Sequence, residues 1–228
     1  MRHFEFAVDH GHAKAVNETL GDVRRLRVSS IIVGLLFAAG AVWLYLRHSP
    51  WSYILAAVLA VAAVMSWWVS VWAPRKVGSI EDLYRRGPLV PAMVSETRPR
   101  GATILALIDI AKPETAVPHY ALVVRNVRAL PGHTLTEGER VPSVAVLSDR
   151  NTSSTAETWQ LVSPMPIAWG TRDRGVLRRA VDAVDPVEWQ LLRKNLAVSE
   201  KVRGAENERM LIDPHDLPAE LLERGDGA

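Results

Sequence analysis

The sequence predicts an α+β membrane protein in which a two-helix transmembrane hairpin precedes a small antiparallel β-barrel or sandwich closed by C-terminal helices. Three observations predict this class. Residues 28–72 contain no Asp, Glu or Lys. Five short strand-like runs with Gly and Pro between them follow. Two segments with helix start signals come after the strands.

The hairpin is predicted from two apolar stretches, residues 28–46 and 51–72. The first has 19 residues, which at about 1.5 Å per residue gives roughly 28 Å, close to the hydrocarbon thickness of a bilayer. Ten of these 19 residues are Val, Ile, Leu or Phe, which favour insertion into lipid. Trp and Tyr residues lie at the ends of the stretches, where membrane interfaces are expected. The lipid bilayer is therefore the first predicted partner.

Orientation follows from the Lys and Arg residues that flank the two spans. Arg47 stands alone in the four-residue turn, whereas eight basic residues lie on the side of the termini: Lys14, Arg24, Arg25, Arg27, Arg75, Lys76, Arg85 and Arg86. The positive-inside rule predicts a plasma-membrane protein with two spans and both termini in the cytoplasm. Small residues at a spacing of four, such as Gly34 and Ala38, allow close packing of helices. They fit packing within the hairpin or dimerisation, so the oligomeric state stays open.

Residues 1–27 are predicted to form a cytoplasmic strand and an amphipathic helix. Alternation over residues 4–8 favours the strand. Ala13, Val16, Leu20 and Val23 recur at helical spacing, and this helix leads into the first span. It either docks on the soluble domain or lies on the lipid surface.

Residues 77–224 are predicted to form a cytoplasmic β-rich domain with C-terminal helices, followed by a disordered tail at 225–228. The expected strands are 89–95, 103–110, 120–130, 140–147 and 157–162, with a short one at 210–212. Thr171 is expected to cap one helix. Asp185 followed by Pro186 starts another that continues to about residue 202. Asp216 is expected to cap a final turn at 217–222.

Composition excludes several function classes. The chain has no Cys, so it forms no disulfides or thiolate metal sites. Residues 77–228 carry 19 basic and 21 acidic residues, a net of −2, which argues against nucleic-acid binding. The common nucleotide-binding, hydrolase and zinc-protease motifs are absent. The sequence therefore predicts no catalytic residue, metal or cofactor.

The candidate binding residues lie mainly in the stretch from Pro164 to Thr171. Alternating Pro164, Met165 and Pro166 favour an extended edge segment, and Trp169 is either a binding platform or, as is more common, a filler of core volume. His133 follows Pro131-Gly132 and completes the candidate set, with His119 as a second polar residue. Asp9-His10-Gly11-His12 contains metal-ligand side chains, although a solvated turn is the more ordinary interpretation.

The chain resembles an uncharacterised family of actinobacterial membrane proteins from mycobacteria and corynebacteria. The residues that suggest this are Lys14 to Leu20, Leu130-Pro131-Gly132-His133, Gly138 to Pro142 and Pro164 to Thr171. The resemblance implies a two-helix hairpin before a cytoplasmic domain, and it implies no catalytic residues.

Three functions are weighed on these observations. The leading hypothesis is a membrane-anchored, non-catalytic interaction module that binds a protein partner at the inner membrane. An enzyme acting on a lipid or cell-envelope precursor is the alternative, which requires polar groups converging around His119 or His133. Nucleic-acid binding through a basic, aromatic groove is the least favoured, because the basic excess is missing.

Overall fold

A computed structural model describes residues 2–77, 79–113, 115, 117–149 and 156–222. The chain divides into two compact units. One consists of the described parts of Met1–Val16 and Ile80–Ala228, and the other is Asn17–Ser79. This division differs from the predicted one, because residues 1–16 belong to the first unit together with the β domain. We call this first unit the soluble unit. The predicted tail at 225–228 lies outside the described residues.

The second unit is a hairpin of two long helices. Helix α1 (His10–Val16) precedes it in the first unit, and the hairpin follows as α2 (Glu18–Tyr45) and α3 (Pro50–Val77). Segments Arg24–Tyr45 and Pro50–Trp72 are long and apolar enough to cross a membrane, as the sequence predicts.

Small residues line the contact between α2 and α3. Those buried in the hairpin are Gly34, Ala41, Ser52, Ala56, Ala63 and Ser70. A Cβ atom on Gly34 would lie 2.4 Å from Nε1 of Trp67, so glycine is required for this packing. Gly34, one of the small residues at a spacing of four, thus packs against the other helix of the hairpin.

Residues 2–9 form neither helix nor strand, so the predicted strand at 4–8 is wrong. Exposure nevertheless alternates residue by residue from 2 to 8, as in an extended chain. The alternation reflects an extended segment that lies against the domain without a partner strand. We call residues 2–9 the N-terminal strap.

The soluble unit contains two antiparallel sheets. Its strands are β1 (Leu89–Val90), β2 (Ala92–Arg98), β3 (Gly101–Asp109), β4 (Tyr120–Val127), β5 (Ser143–Ser148), β6 (Leu161–Pro166) and β7 (Arg209–Leu211). One sheet has the order β1-β5-β6 and the other β2-β3-β4-β7. The described strands close no barrel, so the predicted α+β class is confirmed in its sandwich form.

The core lies around β3. Every residue from Ala102 to Ile108 is buried, and because side chains alternate in a strand, both faces of β3 are covered. Strand β1 and a C-terminal helix, α6 (Pro186–Lys194), both contact β3. Strand β3 therefore lies in the interior of the unit.

The remaining helices of this unit are α4 (Ile80–Arg86), α5 (Arg174–Ala183), α7 (Ser199–Gly204) and α8 (Ala219–Leu222). Asp173 caps α5 by accepting a hydrogen bond from Gly175 N, so the predicted cap at Thr171 is wrong by two residues. Asp185 caps α6 as predicted, accepting from Val187 N at 2.8 Å.

Two further helix predictions need correction. Helix α6 ends at Lys194, well before residue 202, because the backbone of Asn195 leaves the helical conformation and α7 starts separately. The final turn, predicted at 217–222 with Asp216 as its cap, is a helix that starts only at Ala219, so Asp216 lies three residues before it. Asp213 instead caps a separate short turn, Pro214–Asp216, by accepting a hydrogen bond from His215 N at 2.9 Å.

Candidate functional site

The stretch from Pro164 to Thr171 lies in the interior. Strand β6 lies at the edge of its sheet and, among the strands that the structure describes, pairs only with β5, which explains how it tolerates Pro164 and Pro166. Pro164, Met165, Pro166 and Trp169 are all buried. These four candidate residues are therefore brought together, but they are not on the surface where a partner could reach them.

Trp169 is a core residue. Its side chain is fully buried, and its Nε1 donates a hydrogen bond to Ala129 O at 2.7 Å. The guanidinium of Arg125 lies 4.8 Å from the ring centre and donates to Pro164 O at 2.9 Å. The structure thus supports the core-filling interpretation of Trp169.

The N-terminal strap is fixed at both ends. Near its start, Arg2 O accepts from Leu89 N at 2.7 Å, and at its end Asp9 N donates to Gly170 O at 2.8 Å. The Arg2 guanidinium also reaches both carboxylate oxygens of Glu188 at 2.7 Å, and the Glu188 side chain is 7% exposed. The strap is therefore held in place by backbone and side-chain bonds.

Helix α1 secures the strap further through His12. Arg172 Nε donates to His12 Nδ1 at 3.0 Å, so the ring proton resides on Nε2, which donates to Ala168 O at 2.9 Å. Asp9 accepts from His12 N at 3.0 Å, and this bond lowers the pKa of the Asp9 carboxyl. Both nitrogens of His12 are thus used in structural bonds.

A groove of about 430 Å³ lies beside the strap, within the size range of ligand pockets. We call it the strap groove. Its lining comprises strap residues and one side of α4: Phe4, Glu5, Phe6, Ala7, Val8, Glu81, Tyr84 and Arg85. None of the five residues predicted as a binding site lines it.

Aromatic rings form the apolar part of the strap groove. The rings of Phe6 and Tyr84 meet edge to face with centres 5.0 Å apart, and Phe4 lies 6.1 Å from Phe6. The Tyr84 hydroxyl donates to Pro166 O at 2.9 Å and ties α4 to β6. Gly170 leaves room for these rings, since a Cβ there would lie 2.8 Å from Tyr84 Cε2.

His133 lies in a loop organised by Glu139. Its Nδ1 is 3.0 Å from Glu139 Oε1, its side chain is 7% exposed, and its Nε2 has no hydrogen-bond partner in the described part of the chain. Burial opposes ionisation of Glu139, but hydrogen bonds from Thr134 and the proximity of His133 outweigh it and lower the pKa of the carboxyl. His133 therefore serves the loop rather than an open cleft.

The other predicted polar candidates are separate. His119 Nδ1 lies 2.9 Å from Val117 O, and His119 is not among the residues that line the strap groove. His10 pairs with Glu81 at 2.9 Å. Among the residues that the structure describes, no group of three His, Asp or Glu side chains could hold a metal.

Sequence reasoning missed the strap groove because it interpreted residues 4–8 as a strand. The available signal was the alternation of Phe4, Phe6 and Val8, which marks an inward-facing set whether or not the segment pairs. Tyr84 gives no comparable signal, since its role depends on contacts with residues far away in sequence.

Comparison with known proteins gives a family and a structural neighbour. A family model described as "Protein of unknown function (DUF3239)" matches residues 75–200, which is more than half of the chain. The chain is also similar to a protein of known crystal structure described as "a putative membrane protein from Corynebacterium diphtheriae". It is 35% identical to that protein with a TM-score of 0.50, over 54% of this chain and 99% of the neighbour. No curated protein matches the chain.

Proposed function

Because the chain belongs to the DUF3239 family, whose function is unknown, we propose from its apolar hairpin and its surface that it is a membrane-tethered, non-catalytic interaction module. The hairpin holds the β domain at the cytoplasmic face of the plasma membrane, where the domain binds a protein partner.

The observation that carries this proposal is the exposure of the hairpin. Only 6% of the most apolar stretch of the first span is buried inside the protein, and only 17% of that of the second span. Large side chains such as Leu36 and Trp68 are 67% and 68% exposed. Apolar surface of this extent is costly in water and suited to lipid. The length of both helices and the description of the structural neighbour also indicate a membrane location.

The proposed cytoplasmic placement of both chain termini is supported by charge. Basic residues such as Arg24, Arg25 and Arg27 flank the spans on the side of the termini, and the turn carries only Arg47. The corynebacterial neighbour fits an actinobacterial inner membrane as the setting.

Tethering gives such a domain a physical advantage. A domain confined to the bilayer meets other anchored proteins at a raised effective concentration, so modest contacts suffice for association. The soluble unit offers the strap groove as a concave surface of ligand size. The alternative function, an enzyme acting on lipid or envelope precursors, has no comparable support in the described residues, since neither His119 nor His133 lines this groove.

In-cell photocrosslinking of the full-length chain tests the proposal. Photoreactive residues are placed singly at exposed positions around the soluble unit, and adducts are collected from the membrane fraction. We expect one protein to crosslink from a contiguous group of positions and not from the others. Absence of adducts from every position would contradict an interaction module.

A further inference from the structure

We propose that the strap groove docks an extended peptide segment of the partner protein, which adds as a β-strand to the N-terminal strap and presents a Lys or Arg side chain to Glu5. This inference rests on the proposed function and specifies its binding surface.

The first argument is that the groove runs along the backbone edge of the strap. Side chains of an extended chain alternate between two faces. Five consecutive residues, 4–8, line the groove, so residues of both faces border it. A cavity bordered by both sets lies at the edge of the chain, where N–H and C=O groups point.

The second argument is that this edge is free. Residues 3–8 make no backbone hydrogen bond with any residue that the structure describes. Such a row of unpaired donors and acceptors is a template for strand addition, in which main-chain bonds give affinity.

The third argument is that the strap is already ordered. The bonds at Arg2 and Asp9 fix its two ends, and His12 bonds helix α1 to Ala168 O just beyond. A peptide would therefore bind an extended segment that is already ordered in the free protein. No further free energy is needed to order this segment, which favours binding.

Charge identifies the chemistry of the peptide. The groove lining contains two carboxylates, from Glu5 and Glu81, and one guanidinium, from Arg85. Glu81 is paired with His10, whereas Glu5 is exposed and has no ion pair among the described residues. A cationic side chain complements Glu5, and an apolar side chain at the neighbouring inward position complements the Phe4, Phe6 and Tyr84 rings. Anionic lipid headgroups are disfavoured by the same carboxylates.

Selection from a randomised library of displayed octapeptides, using the full-length chain in lipid nanodiscs, tests this inference. We expect enriched peptides to carry Lys or Arg next to an apolar residue. Binding of an enriched synthetic peptide should weaken about five- to tenfold in Glu5→Lys, because the paired charge is reversed. The control Glu206→Lys, at an exposed acid outside the groove lining, should bind as the unmodified protein does. Enriched peptides without basic residues, or equal affinity for both variants, would overturn the inference.

Backbone pairing is tested with the same peptide carrying single N-methyl groups. Alternate amides of an added strand face the strap, so methylation at one set of alternate positions should weaken binding about three- to tenfold per position, while methylation at the other set should not. Equal effects at all positions would exclude strand addition.

Crosslinking separates failure of this inference from failure of the proposed function. Photoreactive residues at Ala7 and Arg85 should capture the same protein that the general scan captures. Capture of that protein only from positions outside the groove would leave the interaction module in place and overturn the groove assignment. Capture of a second copy of this chain or of lipid from Ala7 would overturn it as well.

Discussion

The ring of Phe6 in the N-terminal strap stands edge-on against the ring of Tyr84 in α4, with ring centres 5.0 Å apart and planes at 69°. This contact joins the start of the chain to a helix nearly 80 residues later, and both residues line the strap groove. Gly170 lies against both rings, because a Cβ on it would be 2.8 Å from Tyr84 Cε2 and 3.0 Å from Phe6 Cε2. The geometry of the groove therefore depends on a glycine outside it.

Substitution Gly170→Ala should loosen the strap. The added methyl group overlaps two rings, and overpacking of this kind costs about 1–3 kcal/mol. Hydrogen exchange at the Asp9 and Leu89 amides, which donate the bonds that hold the two ends of the strap, should become faster in the full-length protein. Gly204→Ala is the matched control, since no atom lies within 4 Å of its Cβ position. Equal exchange in the two variants would contradict the packing described for Gly170.

Removal of the Arg2 side chain should destabilise the soluble unit. The Glu188 carboxylate, which is 7% exposed, would lose its guanidinium partner at 2.7 Å, and loss of a charged hydrogen-bond partner costs about 1.5–3 kcal/mol. Urea unfolding of Arg2→Ala measures the loss. Arg179→Ala, at an exposed position on α5, should change the free energy of unfolding by less than about 0.5 kcal/mol. A loss no greater in Arg2→Ala would show that the pair is not structural.

Stability should fall in acid partly through Glu139. The pKa of its carboxyl is lowered from the ordinary value of 4.5 in the folded protein, so the unfolded chain binds more protons in this range. The contribution is complete above about pH 4.5 and is lost as the pH falls through the lowered pKa. The difference in unfolding free energy between the unmodified protein and Glu139→Gln should therefore shrink as the pH is reduced.

Chemical unfolding of both proteins between about pH 3 and 6 measures this difference. Glu137→Gln, at an exposed neighbouring acid, is the control and should alter stability by less than about 0.5 kcal/mol throughout. A difference for Glu139→Gln that stays constant across this range would contradict the lowered pKa.

The hairpin should be sensitive to side-chain size at Gly34. A Cβ there meets the Trp67 ring at 2.4 Å, so Gly34→Leu should separate α2 from α3 and lower the thermal stability of the hairpin in detergent. Gly21→Ala has open space around its Cβ and should be neutral or slightly stabilising, because alanine favours helix. Equal melting temperatures for Gly34→Leu and the unmodified protein would show that this contact does not hold the helices together.

Local patterns allowed much of the fold to be predicted. Apolar runs longer than 18 residues, the Asp185 cap followed by Pro186, and turn residues between strands each depend on neighbours in sequence. Strand β6 lies later in the chain than the predicted strand at 157–162, because Pro164 and Pro166, which the sequence assigns to an extended edge segment, themselves pair with β5. They do so because an edge strand bonds on one side only.

The candidate site could not be predicted in the same way. Burial of Trp169 depends on Arg125 and on Ala129 O, which are about 40 residues away in sequence. The strap groove depends on the packing of residues 4–8 against α4, for which sequence spacing carries no signal. Only the alternation of the strap residues was visible, and it does not distinguish a paired strand from a docked segment.

Cysteine labelling of the full-length chain in intact cells tests the membrane anchor most directly. The chain has no Cys, so single substitutions give unambiguous labelling sites. Ser49→Cys, in the hairpin turn, should react with a membrane-impermeant maleimide added outside the cell. Ser148→Cys, at an exposed position of the soluble unit, should react only after the membrane is permeabilised. Labelling of Ser148→Cys in intact cells, or recovery of the protein from the soluble fraction, would contradict a hairpin that anchors a cytoplasmic domain.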